Sequence, residues 1–124
     1  MIKGYMKKIL IVEDNELNMK LFNDLLETSG YETRQTREGL KAISIAKKFL
    51  PDLILMDIKM PVMGGYEATR EIRKFNKNTY IIAQTAYALG GDMEKAINAG
   101  CNEYITKPID SNKLLMMIKT HLIE

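Results

Sequence analysis

The 124-residue chain has no tryptophan, one cysteine, one histidine and three prolines, and its net charge is only +2. Each scarcity excludes something. Cys101 has no partner within the chain, so no internal disulfide forms, which fits a reducing compartment and a small buried thiol after a helix. His121, alone and near one end, suits a surface helix better than a phosphotransfer histidine. The small net charge and the lack of a basic block argue against nucleic acid. No apolar stretch approaches 18 residues, so no membrane span is expected. The beginning of the chain carries no apolar core of a signal peptide, and the expected location is the cytoplasm. Repeats, low-complexity linkers, dinucleotide fingerprints and P-loops are also missing.

What is present is 46% hydrophobic residues, enough at this length for one real core. Four short apolar runs each end on polar groups suited to phosphate chemistry. Ile9–Val12 leads to Glu13 and Asp14; Leu53–Met56 leads to Asp57. Tyr80–Ala83 leads to Gln84 and Thr85; Tyr104-Ile105 leads to Thr106, Lys107 and Pro108. Runs of this kind read as strands buried on both faces of a parallel sheet.

Helical patterns alternate with these strands. The first spans about Glu16 to Ser29, with Leu17, Leu21 and Leu25 four residues apart, Phe22 and Leu26 alongside, Asn15 to cap it and Gly30 to end it. A polar strand near Glu32 to Thr36 belongs at an edge. A helix over Gly39 to Phe49 stops before Pro51. Further helices follow Gly64-Gly65, carry Met93 and Ile97 up to Gly100, and place Leu114, Ile118 and Leu122 on one face after Asp110 or Ser111. The expected fold is a flavodoxin-like α/β (βα)5 doubly wound parallel sheet of strand order 2-1-3-4-5. That order sets the first and third strands side by side, with Asp14 across a crevice from Asp57. Core filling is the expected role of Met60, Met63, Met116 and Met117.

The strand ends then converge on one pocket of three carboxylates, a hydroxyl and an amine. Two like charges about 4 Å apart repel by roughly 4 kcal/mol at an effective dielectric near 20. A bound Mg²⁺ relieves that cost, and carboxylates with phosphate oxygens are its usual ligands. Without it, at least one carboxyl pKa should rise. Asp57 is the candidate nucleophile toward phosphorus. Lys107, the Thr85 hydroxyl and the backbone N–H groups after Asp57 and Thr85 supply the charge and donors that a transferring phosphoryl group needs. Ala86 leaves room for it.

The segments LIVEDNELN, LILMDIKMPVMGG, AQTAYA and YITKPI resemble those of response-regulator receiver domains of two-component signalling, and the likeness runs along the whole chain. The resemblance implies Asp57 as phosphoacceptor, and Asp14, Asp57 and the backbone carbonyl of Lys59 as Mg²⁺ ligands, with Glu13 acting through water. It implies Thr85 as switch hydroxyl, Thr85, Ala86 and Lys107 around the phosphate, Tyr104 as the aromatic that turns inward, and a cis bond before Pro108.

The implied partners are a histidine kinase or phosphotransfer protein, met by the first helix (Asn15, Asn18, Phe22) and the Pro108-Ile109 loop. A downstream protein would be met by the fourth helix, fifth strand and fifth helix. Glu13 stands where Asp is more frequent, and Gly64 where many members carry Asp. Lys59 and Tyr87 are expected to slow loss of the phosphoryl group. The expected organisation is one receiver domain over residues 1–124 with no output domain, because the last helix begins near residue 111 and the sequence stops at Glu124. Met1, the second possible start Met6 and the absent linker favour a free-standing regulator. The amino-terminal half resembles single-domain cell-cycle regulators. The carboxyl-terminal half is more similar to receivers of hybrid histidine kinases, which is the alternative. A Mg²⁺-dependent phosphatase is a remote one, because Lys59 stands where that chemistry wants a second Asp.

Overall fold

Every apolar run becomes a parallel strand, and the strands alternate with helices along the chain. The computed structural model describes residues 6–86 and 91–122. Strands β1 (Lys8–Val12), β2 (Glu32–Thr36), β3 (Leu53–Asp57), β4 (Tyr80–Thr85) and β5 (Glu103–Thr106) form one parallel sheet in the order β2-β1-β3-β4-β5. The helices are α1 (Glu16–Thr28), α2 (Gly39–Phe49), α3 (Gly65–Arg73), α4 (Asp92–Ala99) and α5 (Ser111–His121). Fold class and strand order are those expected from the sequence.

Alternation along the strands builds two cores. Ile9, Ile11, Leu53, Leu55, Ile82 and Ile105 meet Met19, Phe22 and Leu26 of α1 and Leu114 and Ile118 of α5. Leu10, Val12, Ile54, Met56, Ile81 and Ala83 meet α2, α3 and α4 through Ala42, Ala46, Ala68, Ile72 and Ala96. The polar β2 lies at an edge. The helix punctuation works as the residues suggest: Asn15 Oδ1 accepts from the Asn18 N–H (2.9 Å), and Asp110 Oδ1 accepts from the N–H groups of Asn112 and Lys113. Gly30 closes α1 at φ +95°.

Two expectations need correction, Phe22 as a docking residue and Met116 as core filling, and the reason lies in which helix faces are buried. On α1 the line Met19–Phe22–Leu26 faces the sheet, while Leu17 and Leu21 are 66% and 58% exposed. A helix turns about 100° per residue, so only one of two adjacent apolar lines can meet a flat sheet. Phe22 is consequently core and not available for docking. On α4 the same choice favours Ala96 and Ala99 and leaves Met93 and Ile97 exposed. Met117 packs on the α1/α5 core, and Met60 and Met63 pack on the other, but Met116 faces solvent.

One close approach positions the acceptor strand. A Cβ on Gly65 would lie 2.2 Å from the carbonyl oxygen of Asp57. Only glycine lets α3 begin this near the end of β3.

Candidate functional site

Parallel pairing in register brings the strand ends level. Val12 pairs with Met56, and Asp57 with Gln84. Glu13 and Asp14 therefore leave β1 beside Asp57. Carboxylate oxygens of Glu13, Asp14 and Asp57 lie within 4.8 Å of one another.

Asp57 is buried. Its Oδ1 accepts from Lys107 Nζ at 3.0 Å and from the Lys59 N–H at 3.2 Å, while Oδ2 has no partner. Glu13 is fully buried; Oε2 accepts from the Asn15 N–H at 3.1 Å, and Oε1 has no partner. Burial pushes the Glu13 carboxyl above its ordinary range. The Asn15 N–H opposes this, and the charges of Asp57 and then Asp14 add to it against that of Lys107. Two orphaned buried carboxylate oxygens in an all-oxygen donor set fit a hard divalent cation.

The remaining expected groups border the same place. A cleft of about 130 Å³ is lined by Asp57, Lys59, Gln84, Thr85, Ala86, Asp92 and Lys107, with Ile58. Ala86 is exposed at its edge. Tyr104, one strand over, is half-buried against the α2/α3/α4 core. The Lys107–Pro108 peptide is cis. A wider depression of about 920 Å³ between α1 and β2 lies away from these groups and collects no comparable chemistry. Tyr87 lies outside the described residues.

One lining residue, Asp92, escaped the sequence reading, and another, Gln84, was marked as a polar strand end without a role. Asp92, the first residue of α4, accepts from the Thr85 hydroxyl at 2.8 Å on Oδ2. Its only signal was its place after the Gly90-Gly91 pair, which marks a helix start and not a site. Gln84, fully buried with neither amide atom partnered, sits beside Asp57 in the register. A polar residue inside an apolar strand was its visible signal.

Comparison with known proteins agrees with this geometry. The response regulator receiver domain model matches residues 9–119. The polar-differentiation response regulator DivK of Brucella anthropi is 49% identical over 118 residues, covering 94% of this chain and 96% of the relative. DivK of Brucella ovis matches to the same extent. Among solved structures, the receiver domain of sensor histidine kinase PA1611 from Pseudomonas aeruginosa, with a magnesium ion in its active-site cleft, superposes with TM-score 0.85 at 38% identity, over 94% of this chain and 98% of that one. The receiver domain of Ssk1, crystallised with the phosphotransfer protein Ypd1 of Saccharomyces cerevisiae, gives TM-score 0.88 at 32% identity, over 96% and 94%. The receiver family is not a classical enzyme family, and no helix of the described residues is long and apolar enough to cross a membrane. By sequence, fold and the acidic cluster at its strand ends, this chain belongs to the response-regulator receiver-domain family of two-component signalling.

Proposed function

We propose that this chain is a phosphorylation-dependent switch in which Asp57 accepts a phosphoryl group from a phosphohistidine on a histidine kinase or phosphotransfer protein. The observation that carries the reading is the state of Asp57: buried, with one oxygen held by Lys107 at 3.0 Å and the other unpartnered among carboxylates. A carboxylate oxygen of Asp57 forms the bond to phosphorus as the nitrogen–phosphorus bond of the donor breaks. The imidazole keeps the electron pair and takes a proton. Lys107 follows the developing charge from Oδ1 to a phosphoryl oxygen, and the Thr85 hydroxyl and the N–H of Ala86 serve others.

Asp14, Asp57 and the Lys59 carbonyl would hold Mg²⁺ directly, and Glu13 through water. When bound, the ion offsets negative charge on the phosphoryl oxygens. The magnesium in the receiver of sensor histidine kinase PA1611 and the orphaned Glu13 Oε1 and Asp57 Oδ2 support this assignment.

Phosphorylation adds roughly two negative charges. Thr85 and Lys107 turn toward them, Tyr104 turns inward, and a small bias between two packings becomes the signal. The donor would dock on α1 and the Pro108 loop, where Leu17 and Leu21 are exposed; the downstream protein would read α4, β5 and α5. The Ypd1 complex with the Ssk1 receiver supports the class of donor. A free-standing regulator, one receiver domain acting in the cytoplasm, is favoured by the match across 96% of DivK. Likeness to the receiver of a sensor histidine kinase supports the second reading, a module of a hybrid kinase.

The test is incubation with acetyl phosphate, with and without Mg²⁺, read by intact mass. One phosphoryl group gained only with Mg²⁺, and lost in Asp57→Asn, is the expected result. No gain in the unsubstituted chain, from acetyl phosphate or from a phosphorylated phosphotransfer protein, would overturn the reading.

A further inference from the structure

We propose that Asp92 is a positioning residue that holds the Thr85 hydroxyl off the phosphoryl site until the phosphoryl group displaces it. The inference rests on the phosphoacceptor reading of Asp57 and goes beyond it, because it names a competitor inside the site.

A threonine hydroxyl has one proton to donate. In the unmodified protein Thr85 Oγ1 gives it to Asp92 Oδ2 at 2.8 Å. An ionised acceptor makes such a bond stronger than one between neutral groups. Asp92, Asp57, Thr85 and Lys107 all line the same cleft. A phosphoryl group on Asp57 therefore places a second anionic acceptor in reach of the same proton. It also places roughly two negative charges in a cleft that already contains the Asp92 carboxylate. Both effects act in one direction: Thr85 leaves Asp92, and Asp92 is pushed outward.

The consequence is mechanical. Asp92 is the first residue of α4, and its backbone carbonyl accepts from the Tyr66 hydroxyl of α3 at 3.3 Å. The latch thus ties the acceptor site to the start of α4 through one side chain, with Tyr66 as the second tether. Release of Thr85 frees one of these ties. The plainer role of an acidic residue in a first helical turn is to complement the helix dipole. That role makes no reference to Thr85, and this separates the two.

The experiment is a double-mutant cycle on Thr85→Ala and Asp92→Ala, with Asp92→Asn as the conservative variant. The readout is titration with beryllium fluoride, a phosphoryl mimic, at fixed Mg²⁺, followed by intrinsic tyrosine fluorescence. Removing the competitor should tighten apparent beryllium fluoride binding by roughly fivefold to tenfold, the net worth of one typical intramolecular hydrogen bond. Asp92→Asn, which keeps an acceptor but loses the charge, should fall between. In the Thr85→Ala background, replacing Asp92 should lose most of that gain. Equal tightening with and without Thr85, or no tightening at all, would overturn the latch. If Asp92→Ala fails to fold, the same comparison with Asp92→Asn decides it. Failure of the unsubstituted chain both to bind the mimic and to gain a phosphoryl group would overturn the phosphoacceptor reading itself. Normal binding without dependence on Asp92 overturns the latch alone.

Discussion

At the amino end of the sheet, Asp52 accepts the N–H of Lys8 on its carboxylate and that of Tyr80 on its carbonyl; at the carboxyl end, Asp57 keeps Oδ2 without a partner. The contrast extends across the sheet. At the amino end, Arg73 donates to the carbonyls of Gly100 (2.8 Å) and Asn76 and to Asn102 Oδ1 (2.8 Å), which also accepts the Ile81 N–H. The Tyr80 hydroxyl donates to Glu103 and meets His121, whose ring stacks on it at 4.0 Å. At the carboxyl end, Glu13, Asp57 and Gln84 hold four of the five unpartnered buried side-chain atoms among the described residues; Thr79 holds the other. Buried polar atoms without partners are costly. Their concentration at one end indicates that stability is built at the amino end, while the carboxyl end is left incomplete for something that binds.

That contrast can be broken by mutation, most strongly at its stable side. Arg73→Ala removes three hydrogen bonds and the packing of the Arg73 stem, whose Cγ lies where a Cβ of Gly100 would come within 2.7 Å. Chemical unfolding should show a loss of about 2–3 kcal/mol, while the extent of phosphorylation from acetyl phosphate stays unchanged. A large drop in phosphorylation of the folded variant would show that the two ends are not separable.

A smaller effect of opposite sign belongs to the other end. Glu13→Gln removes a buried charge whose partners are incomplete. In the absence of divalent cations it should raise stability by about 1 kcal/mol in urea unfolding. The same variant should lose most of the stabilisation that added Mg²⁺ gives the unsubstituted protein. A destabilised variant that keeps its response to Mg²⁺ would contradict the account of this end.

The smallest effect is in pH. Burial raises the Tyr80 phenol, with the Glu103 bond adding to it, above its ordinary 10.0, and raises the Cys101 thiol above 9.0. The folded state keeps protons that the unfolded chain releases, so stability is full below these ordinary values and falls as pH rises through them. Tyr80→Phe should flatten the fall in urea midpoint between about pH 9 and 11. Glu13 acts by the same sign in another window: its folded pKa is raised from 4.5, so its contribution falls as pH rises from there.

Much of this was legible in the residues. Continuous apolar runs forced buried parallel strands, and the polar Glu32–Thr36 segment could only be an edge. The acid, hydroxyl and amine groups at four strand ends were visible because strand ends are sequence-local features. Helix faces were less legible. On α1 two apolar lines competed, and periodicity gave no reason to prefer Met19–Phe22–Leu26 over Leu17–Leu21. Asp92 was invisible as a site residue because its role depends on where a neighbouring strand ends.

The sequence by itself determined the alternation of elements, the strand order and the convergence of Glu13, Asp14, Asp57, Thr85 and Lys107. These follow from chain-local patterns of burial and from the rules for connecting parallel strands. The tertiary structure alone decided which face of each helix is buried, which carboxylate oxygens go unpartnered and which acceptor takes the Thr85 proton. Those are properties of side-chain distances of a few ångströms, which burial patterns along the chain do not specify, and hydrogen bonds are made or lost and desolvation gained or relieved over such distances.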